Sequence, residues 1–328
     1  MTWNGRHVMV TGGAGFIGST VADRLLAQGA EVTVYDNFVT GLREFVPPKA
    51  KLVEGDLLDQ AKLDQAMRGV DFVFHMAANA DIKDNLTQPR KCVDQNIVVT
   101  QNVLEAMRAA GAKEIAFAST GSVYGEGTFH GPKSEYRYNV LPTPEEAAFP
   151  VQTSIYGASK IAAEGLLSSY AYGCGFKTWA FRFVSLLGPR YTHGHVYDFW
   201  KRLKNDPTKL EVLGNGQQQK SYLHVSDCVS AMFTAVDKSR EPVQVFNLGH
   251  TDWLKVEDSV KIIVKTMKLT PQIVFTGGER GWVGDSPKIL LDTKRISSLG
   301  WAPTKSIEAS VIETLEFLEA NPFVLKRG

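Results

Sequence analysis

The chain has 328 residues, 44 % of them hydrophobic and 22 % charged, enough apolar material for one large domain or two modest ones. Its 36 Lys and Arg against 35 Asp and Glu leave +1, so bulk charge draws neither nucleic acid nor an anionic membrane. No apolar run approaches the ~20 residues that span a bilayer, and Met1–Met9 lacks the pattern of a secretory signal, so a cytoplasmic protein is expected.

Arg6–Thr11 is a short, valine-bearing strand that ends in a glycine cluster. Phe16–Gln28 follows as an amphipathic helix, with Ile17, Val21, Leu25 and Leu26 at helical spacing and Gly29 closing it. Glu31–Tyr35, Lys51–Glu54 and Asp71–His75 read as three more strands. A long helical pattern spans Pro89–Ala110, Glu114–Ala118 is a fifth strand, and a helix opening at Tyr156 runs to about Tyr172. Strands separated by helices imply βαβ units, hence an α/β fold with a Rossmann-like, doubly wound parallel sheet. After residue 183 the texture changes to longer irregular stretches with Pro and Gly (Gly188–Gly194, Gly277–Pro287), around a helical run at Tyr197–Lys204. The expected division is residues 1–183 for the nucleotide-binding part and mainly 184–328 for a smaller α/β substrate part.

The loop Thr11-Gly12-Gly13-Ala14-Gly15-Phe16-Ile17-Gly18 joins the first strand to the first helix. It satisfies GxxGxxG from Gly12 and GxGxxG from Gly13, spacings that let backbone amides approach a pyrophosphate at a helix N-terminus. Asp36 closes the second strand, where a carboxylate can take both ribose hydroxyls of NAD; NADP needs a cation there, and Arg43 lies too far along. Asp56, after the third strand, can meet the adenine amino group or act as a cap.

Tyr156-Gly157-Ala158-Ser159-Lys160 sets a phenol and an ammonium one helical turn apart on one face. A free phenol titrates near ~10, too high for a base at neutral pH. A neighbouring ammonium and a cationic cofactor ring would both favour the phenolate. The fifth strand runs into Ser119-Thr120-Gly121-Ser122, where Thr120 can hydrogen-bond a substrate oxygen that exchanges its proton with Tyr156. Cys92, Cys174 and Cys228 are odd in number and far apart, and the pair His193 and His195 has no companion ligands, so neither disulfides nor a metal are expected.

Taken together, the motifs resemble the extended short-chain dehydrogenase/reductase family, in particular its NAD-dependent nucleotide-sugar epimerases and dehydratases. The resemblance covers nearly the whole chain: TGGAGFIGS at 11–19, YDN at 35–37, GD at 55–56, HMAANAD at 75–81, Asn96, STGSVYG at 119–125, YGASK at 156–160 and KSYLHVSD at 220–227. It implies a catalytic triad of Thr120, Tyr156 and Lys160, with Asn96 supporting the loop that bears the catalytic residues. It implies NAD contacts from Gly12, Gly15, Phe16, Ile17, Gly18, Asp36, Asn37, Asp56, Leu57, Met76, Ala77, Ala78, Asn96, Ser119, Tyr156, Lys160 and Phe183. A UDP-sugar would meet Thr120, Ser122, Ser185, His195, Leu210, Leu213, Lys220, Tyr222, Arg280 and Asp285. The substrate part then comprises 184–216 and 251–328, with 217–250 returning to the nucleotide-binding part. The family commonly forms homodimers through two helices, matching here Pro89–Ala110 and Ser154–Tyr172.

In this family the residues after the catalytic threonine separate the branches. Dehydratases carry Asp-Glu there and decarboxylases of nucleotide-linked glucuronate keep a Glu, whereas Gly121 and Ser122 hold no titratable group. Elimination then lacks its acid–base pair. The expected reaction is NAD-dependent 4-epimerisation of a UDP-hexose, UDP-glucose to UDP-galactose, through a 4-keto sugar. UDP-glucuronate and UDP-N-acetylhexosamine stay open as substrates, since Ile289 is of medium bulk at a position associated with access for N-acetylated sugars. Lys220 stands where relatives usually carry Arg, and Ser185 where they carry Asn; Arg280 and Asp285 are two residues further apart than is common. A non-catalytic NAD sensor would have no need to keep Thr120, Tyr156 and Lys160 together.

Overall fold

The computed structural model describes residues 2–80, 87–125, 142–146, 152, 154–279, 281 and 288–326. Its first half lays down β1 (His7–Thr11), β2 (Glu31–Asp36), β3 (Lys51–Glu54), β4 (Phe72–His75), β5 (Glu114–Thr120) and β6 (Lys177–Phe183). The helices between them are α1 (Phe16–Ala27), α2 (Gln60–Ala66), α3 (Pro89–Val93), α4 (Val99–Ala110) and α5 (Ile155–Cys174). Later come β7 (Ser185–Leu187), α6 (His195–Asn205), β8 (Lys209–Val212), β9 (Gln219–Lys220), β10 (Tyr222–His224), α7 (Val225–Lys238) and β11 (Val243–Leu248).

The central sheet has seven strands in the order β11-β6-β5-β4-β1-β2-β3, and every pairing is parallel. Parallel strands are buried on both faces, which is why these segments read as nearly continuous apolar runs. The period of two sorts their side chains. Val8, Val10, Phe72 and Phe74 pack under α1 and α7, beside Val21, Leu25, Met232 and Phe233. Met9, Val73, Ile115 and Phe117 pack on the opposite face under α2, α4 and α5, beside Leu63, Val103, Met107 and Leu167. The connections from β1 run one way to β2 and β3, and those from β4 run the other way. A crevice therefore opens at the carboxyl ends of β1 and β4, the switch point at which open α/β sheets bind ligands.

A third core lies outside the sheet. It joins α6 (Val196, Phe199, Trp200) to Leu210 and Val212 of β8, and to α8 (Val256–Thr266) and α10 (Ile307–Ala320). Short strands stitch this part together: β7 pairs β10, β9 lies between β12 (Leu254–Lys255) and β14 (Lys288–Ile289), and β8 pairs β13 (Gln272–Phe275). The five-residue helix α9 (Lys294–Ser298) lies between β14 and α10.

The stretch Pro89–Ala110 departs from the single helix its periodicity suggests. Asp94–Val98 is a π turn between α3 and α4, in which the Thr100 hydroxyl takes the Asn96 carbonyl at 2.6 Å. Single π turns inside α-helices recur at functional sites. Among the described residues no helix is long and apolar enough to cross a membrane.

Candidate active site

The crevice contains a cavity of about 690 Å³, floored by the loops after β1, β2, β4 and β5 and walled by α5, β6, β7 and β14. Gly12, Gly15 and Gly18 line it and Gly13 does not, so GxxGxxG is the frame that faces the crevice. Gly12 has φ +66°, and a Cβ there would lie 2.7 Å from the Ala77 backbone of the neighbouring loop. Only glycine allows that close approach. Gly15 begins α1 without a side-chain cap and the first turn holds no acid, so the amides and dipole of this terminus face the crevice uncompensated.

Asp36 sits at the end of β2, buried, its Oδ2 accepting from the Ala14 amide at 2.9 Å and its Oδ1 from the Phe38 amide at 2.8 Å. Asp36 also lines the cavity, where a carboxylate can accept from a ribose diol. Arg43 pairs with Glu54 and lies over the Phe38 ring. An unblocked helix N-terminus, a glycine turn that a Cβ would fill and a fixed carboxylate fit a dinucleotide of the NAD type. Phe16, Ile17, Asn37, Leu57, Met76, Ala77, Ala78 and Phe183 line the same cavity. Among the described residues no group of His, Cys, Asp and Glu could hold a metal.

At the other end of the cavity, the carboxyl end of β5 delivers Thr120 and the first two turns of α5 deliver Tyr156 and Lys160. Ser154 caps α5, its Oγ accepting from the Gly157 amide at 3.0 Å. A Cβ on Gly157 would lie 2.7 Å from the Ser122 carbonyl, so the glycine lets the helix start press against the β5 turn. This contact brings Tyr156 beside Thr120, and both line the cavity. Thr120 also accepts from the Ser122 amide at 3.1 Å and donates to Ser122 Oγ at 3.2 Å. Lys160 Nζ donates to the Ala118 carbonyl at 2.8 Å and lies 4.6 Å from the centre of the Phe117 ring.

Burial displaces the two titrating groups in opposite directions. It pushes the Tyr156 phenol up to about 12, partly offset by the Thr120 hydrogen bond, and presses Lys160 down to about 7. Behind them, Glu164 of α5 forms a buried ion pair with Arg182 of β6 at 2.6 Å and accepts from Ser119 Oγ. Arg182 also donates to the Tyr124 hydroxyl at 2.9 Å, and Tyr124 donates to Asn247 Oδ1 at 2.8 Å. This network locks β5, α5, β6 and β11 together just beneath Thr120.

Of the residues that the motifs single out, Ser122 and Ser185 also line the cavity, but eight do not. Asp56 spends its carboxylate on the Leu58 amide at 2.9 Å and on Asn37 Nδ2 at 3.0 Å, a turn-forming use. Ser119 points away to Glu164. Asn96 lies behind the wall and clamps it: its Oδ1 accepts from the Asn79 amide at 2.8 Å and its Nδ2 donates to Ser159 Oγ at 2.9 Å. His195 turns to Ser259 Oγ at 2.8 Å and to the Tyr222 ring, with Lys220 near enough to add to the fall in its pKa. Tyr222 is buried in β10, and Leu210 is core; Leu213 is 39 % exposed. Arg280 and Asp285 lie outside the described residues. Sequence reading missed Tyr124, Tyr191, His193 and Lys288, all of which line the cavity. Only the position of Lys288 beside Ile289 hinted at it.

A glycine-loop sheet whose crevice runs from a fixed carboxylate to a Thr–Tyr–Lys cluster defines a dinucleotide-dependent enzyme that moves a hydride and a proton at one carbon. The family model described as the NAD dependent epimerase/dehydratase family matches residues 8–249, and the chain belongs to that family. Its cofactor is NAD, and by class it is an NAD-dependent nucleotide-sugar epimerase. A putative UDP-glucose 4-epimerase of Methanocaldococcus jannaschii is 28 % identical over 322 residues, 96 % of this chain and 99 % of that protein. UDP-glucuronic acid decarboxylase 2 of Arabidopsis thaliana is 31 % identical, covering 92 % of this chain and 66 % of that one. Among solved structures, a UDP-galactose 4-epimerase matches with TM-score 0.84 and 37 % identity over 96 % of this chain and 99 % of its own. The UDP-glucose 4-epimerase of Thermotoga maritima with UDP-glucose matches with TM-score 0.85 and 29 % identity over the same shares of the two chains. MoeE5 in complex with UDP-glucuronic acid and NAD matches with TM-score 0.81 and 26 % identity, again over 96 % and 99 %.

Proposed function

We propose that this enzyme interconverts UDP-glucose and UDP-galactose by inverting C4. One observation carries the reading. Among the described residues that line the cavity, Asp36 is the only carboxylate, and it lies at the glycine-loop end, away from Thr120 and Tyr156. Around Thr120 and Tyr156 the described residues offer hydroxyls, a phenol and an ammonium, but no acid–base pair with which to eliminate water across C5 and C6.

The glycine-loop amides and Asp36 would hold the pyrophosphate and ribose of NAD. NAD supplies a reversible hydride acceptor at the sugar C4. Tyr156 then takes the C4 hydroxyl proton, Thr120 orients that oxygen, and Lys160 adds positive charge beside the phenol. With the phenol resting near 12, each positive charge brought into the cleft lowers the cost of phenolate. After the proton has left, the 4-keto sugar turns over within the cavity, and Tyr156 returns the proton once the opposite face has been reduced. Ser122 and Ser185 are read as contacts to the turning sugar.

Three relatives named for UDP-glucose or UDP-galactose 4-epimerase support the sugar assignment. A second substrate, UDP-glucuronate, is favoured by one feature: Lys288 and Ser185 line the cavity, an ammonium and a short hydroxyl able to receive a carboxylate at C6. The same reading pairs two copies through α4 and α5, where Tyr172 is 85 % exposed. Light scattering at a single-chain mass would remove that part. The deciding experiment incubates the enzyme with UDP-glucose, UDP-glucuronate and UDP-N-acetylglucosamine and separates the products by chromatography. UDP-galactose as the fastest-formed product supports the proposal; a 6-deoxy-4-keto sugar or a pentose overturns it.

A further inference from the structure

His75 ends β4 at the switch point, fully buried, and belongs to the HMAANAD motif without a role in the chemistry above. Its ring lies between two threonines: Nδ1 is 2.7 Å from Thr11 Oγ1 and Nε2 is 3.1 Å from Thr100 Oγ1. Thr11 precedes the Gly12 turn and accepts from the Ala77 amide at 3.4 Å. Thr100 lies 2.6 Å from the Asn96 carbonyl of the π turn.

One arrangement of protons satisfies this chain. A carbonyl cannot donate, so the proton between Thr100 and Asn96 belongs to Thr100. Thr100 Oγ1 must then accept from Nε2–H of His75, which leaves Nδ1 as an acceptor for the Thr11 hydroxyl. Thr11 in turn accepts from Ala77. Beyond Asn96 the line continues through its side chain to Ser159 Oγ at 2.9 Å, and from Ser159 to the Tyr156 carbonyl at 2.8 Å. The same Asn96 side chain holds the Asn79 amide at 2.8 Å, on the loop that walls the cavity. Thr11, Thr100 and Asn96 are buried as deeply as His75, so water cannot substitute for a missing member.

We propose that His75, as the neutral Nε2–H tautomer, is a positioning residue that ties the glycine turn and Ala77 to the Asn96 π turn, and through it sets Tyr156 against the bound cofactor. The proposal rests on the reading of Tyr156 as the proton-transfer group. Burial, aided by the nearby Lys160 charge, lowers the His75 pKa to about 3, in keeping with a ring that stays neutral.

Three variants and one spectrum test it. His75→Phe fills the space but leaves the Thr11 hydroxyl without an acceptor and Thr100 without its imidazole donor, so it should melt lower and lose kcat by roughly 10–100-fold, with KM moving much less. His75→Gln, which can still donate and accept along the chain, should recover part of that kcat. Adding Thr11→Val to His75→Phe removes the hydroxyl left without an acceptor and keeps Thr100 on the Asn96 carbonyl, so it should recover melting temperature but not kcat. If this double variant regains both, His75 serves the scaffold alone and the proposal fails. Nitrogen NMR of the unmodified protein should show one unchanging Nε2–H imidazole between about pH 6 and 8, where a free histidine titrates. A titrating ring or an Nδ1–H tautomer at His75 would overturn the assignment. These outcomes separate from the substrate question. If the wild type converts no UDP-sugar, the function reading falls, while the spectrum and the NAD retained by each variant after gel filtration still decide the role of His75.

Discussion

Tyr156 and Lys160 are displaced in opposite directions by the same burial, and that opposition defines the resting state. Burial keeps the phenol protonated, pushed up to about 12, and presses Lys160 down to about 7. In the proposed reaction the tyrosine becomes a base only when more positive charge enters the cleft. Tyr156→Phe should therefore retain UDP-sugar binding and lose turnover by roughly 10²–10⁴-fold. Isothermal titration and a coupled assay separate the two, and turnover near wild type would move the general base elsewhere. This pair was readable in the sequence because helix geometry alone puts positions four apart on one face. The upward shift of the phenol was not readable. It follows from enclosure by α5, β5 and the loop after β4, contacts made between segments distant in the chain.

Helix α5 carries three tasks at one-turn intervals: Tyr156 faces the cavity, Lys160 meets the Ala118 carbonyl, and Glu164 anchors Arg182 of β6. A buried pair broken on one side leaves an unpaired charge, so Glu164→Gln should cost about 3–5 kcal/mol. Urea unfolding followed by circular dichroism measures it, and a loss below about 1 kcal/mol would mean that the pair is solvent-screened. Elements of this kind were visible where apolar periodicity was strong, as in α1 and the early strands. They were misread at Pro89–Ala110, where nothing in the apolar spacing announces the π turn at Asp94–Val98. The two-residue strands β9, β12 and β14 are likewise too short to carry a period, and with them went the placement of Lys220 and Lys288. Both belong to β9 and β14, whose pairing Ile289↔Lys220 depends on residues about seventy apart.

At the scale of the whole molecule, buried titrating groups make stability depend on pH. His75 titrates near 3 folded against 6.5 unfolded, so between those values the unfolded chain binds a proton that the folded chain refuses. Stability then rises with pH across that window and is lost on acidification. Lys160, near 7 folded against 10.5, has the same sign from 7 upward, and Tyr156 opposes it above 10. Melting of the NAD-free protein should climb from about pH 5 toward pH 9, and His75→Phe should make the acid limb shallower without removing it, because buried His195 has the same sign; a midpoint that falls over this range would contradict the burial of these groups. Asp36 has a different consequence. Its two oxygens shape the glycine loop through Ala14 and hold Phe38 at φ +58°, a conformation a non-glycine residue rarely keeps unaided. The residue read as the ribose contact is thus also a structural pin of the glycine loop. Converting this enzyme to the phosphorylated dinucleotide by exchanging Asp36 alone would loosen the grip on both forms. A change of preference must remodel Phe38 and the turn with it, which makes nucleotide choice in this chain hard to alter in single steps.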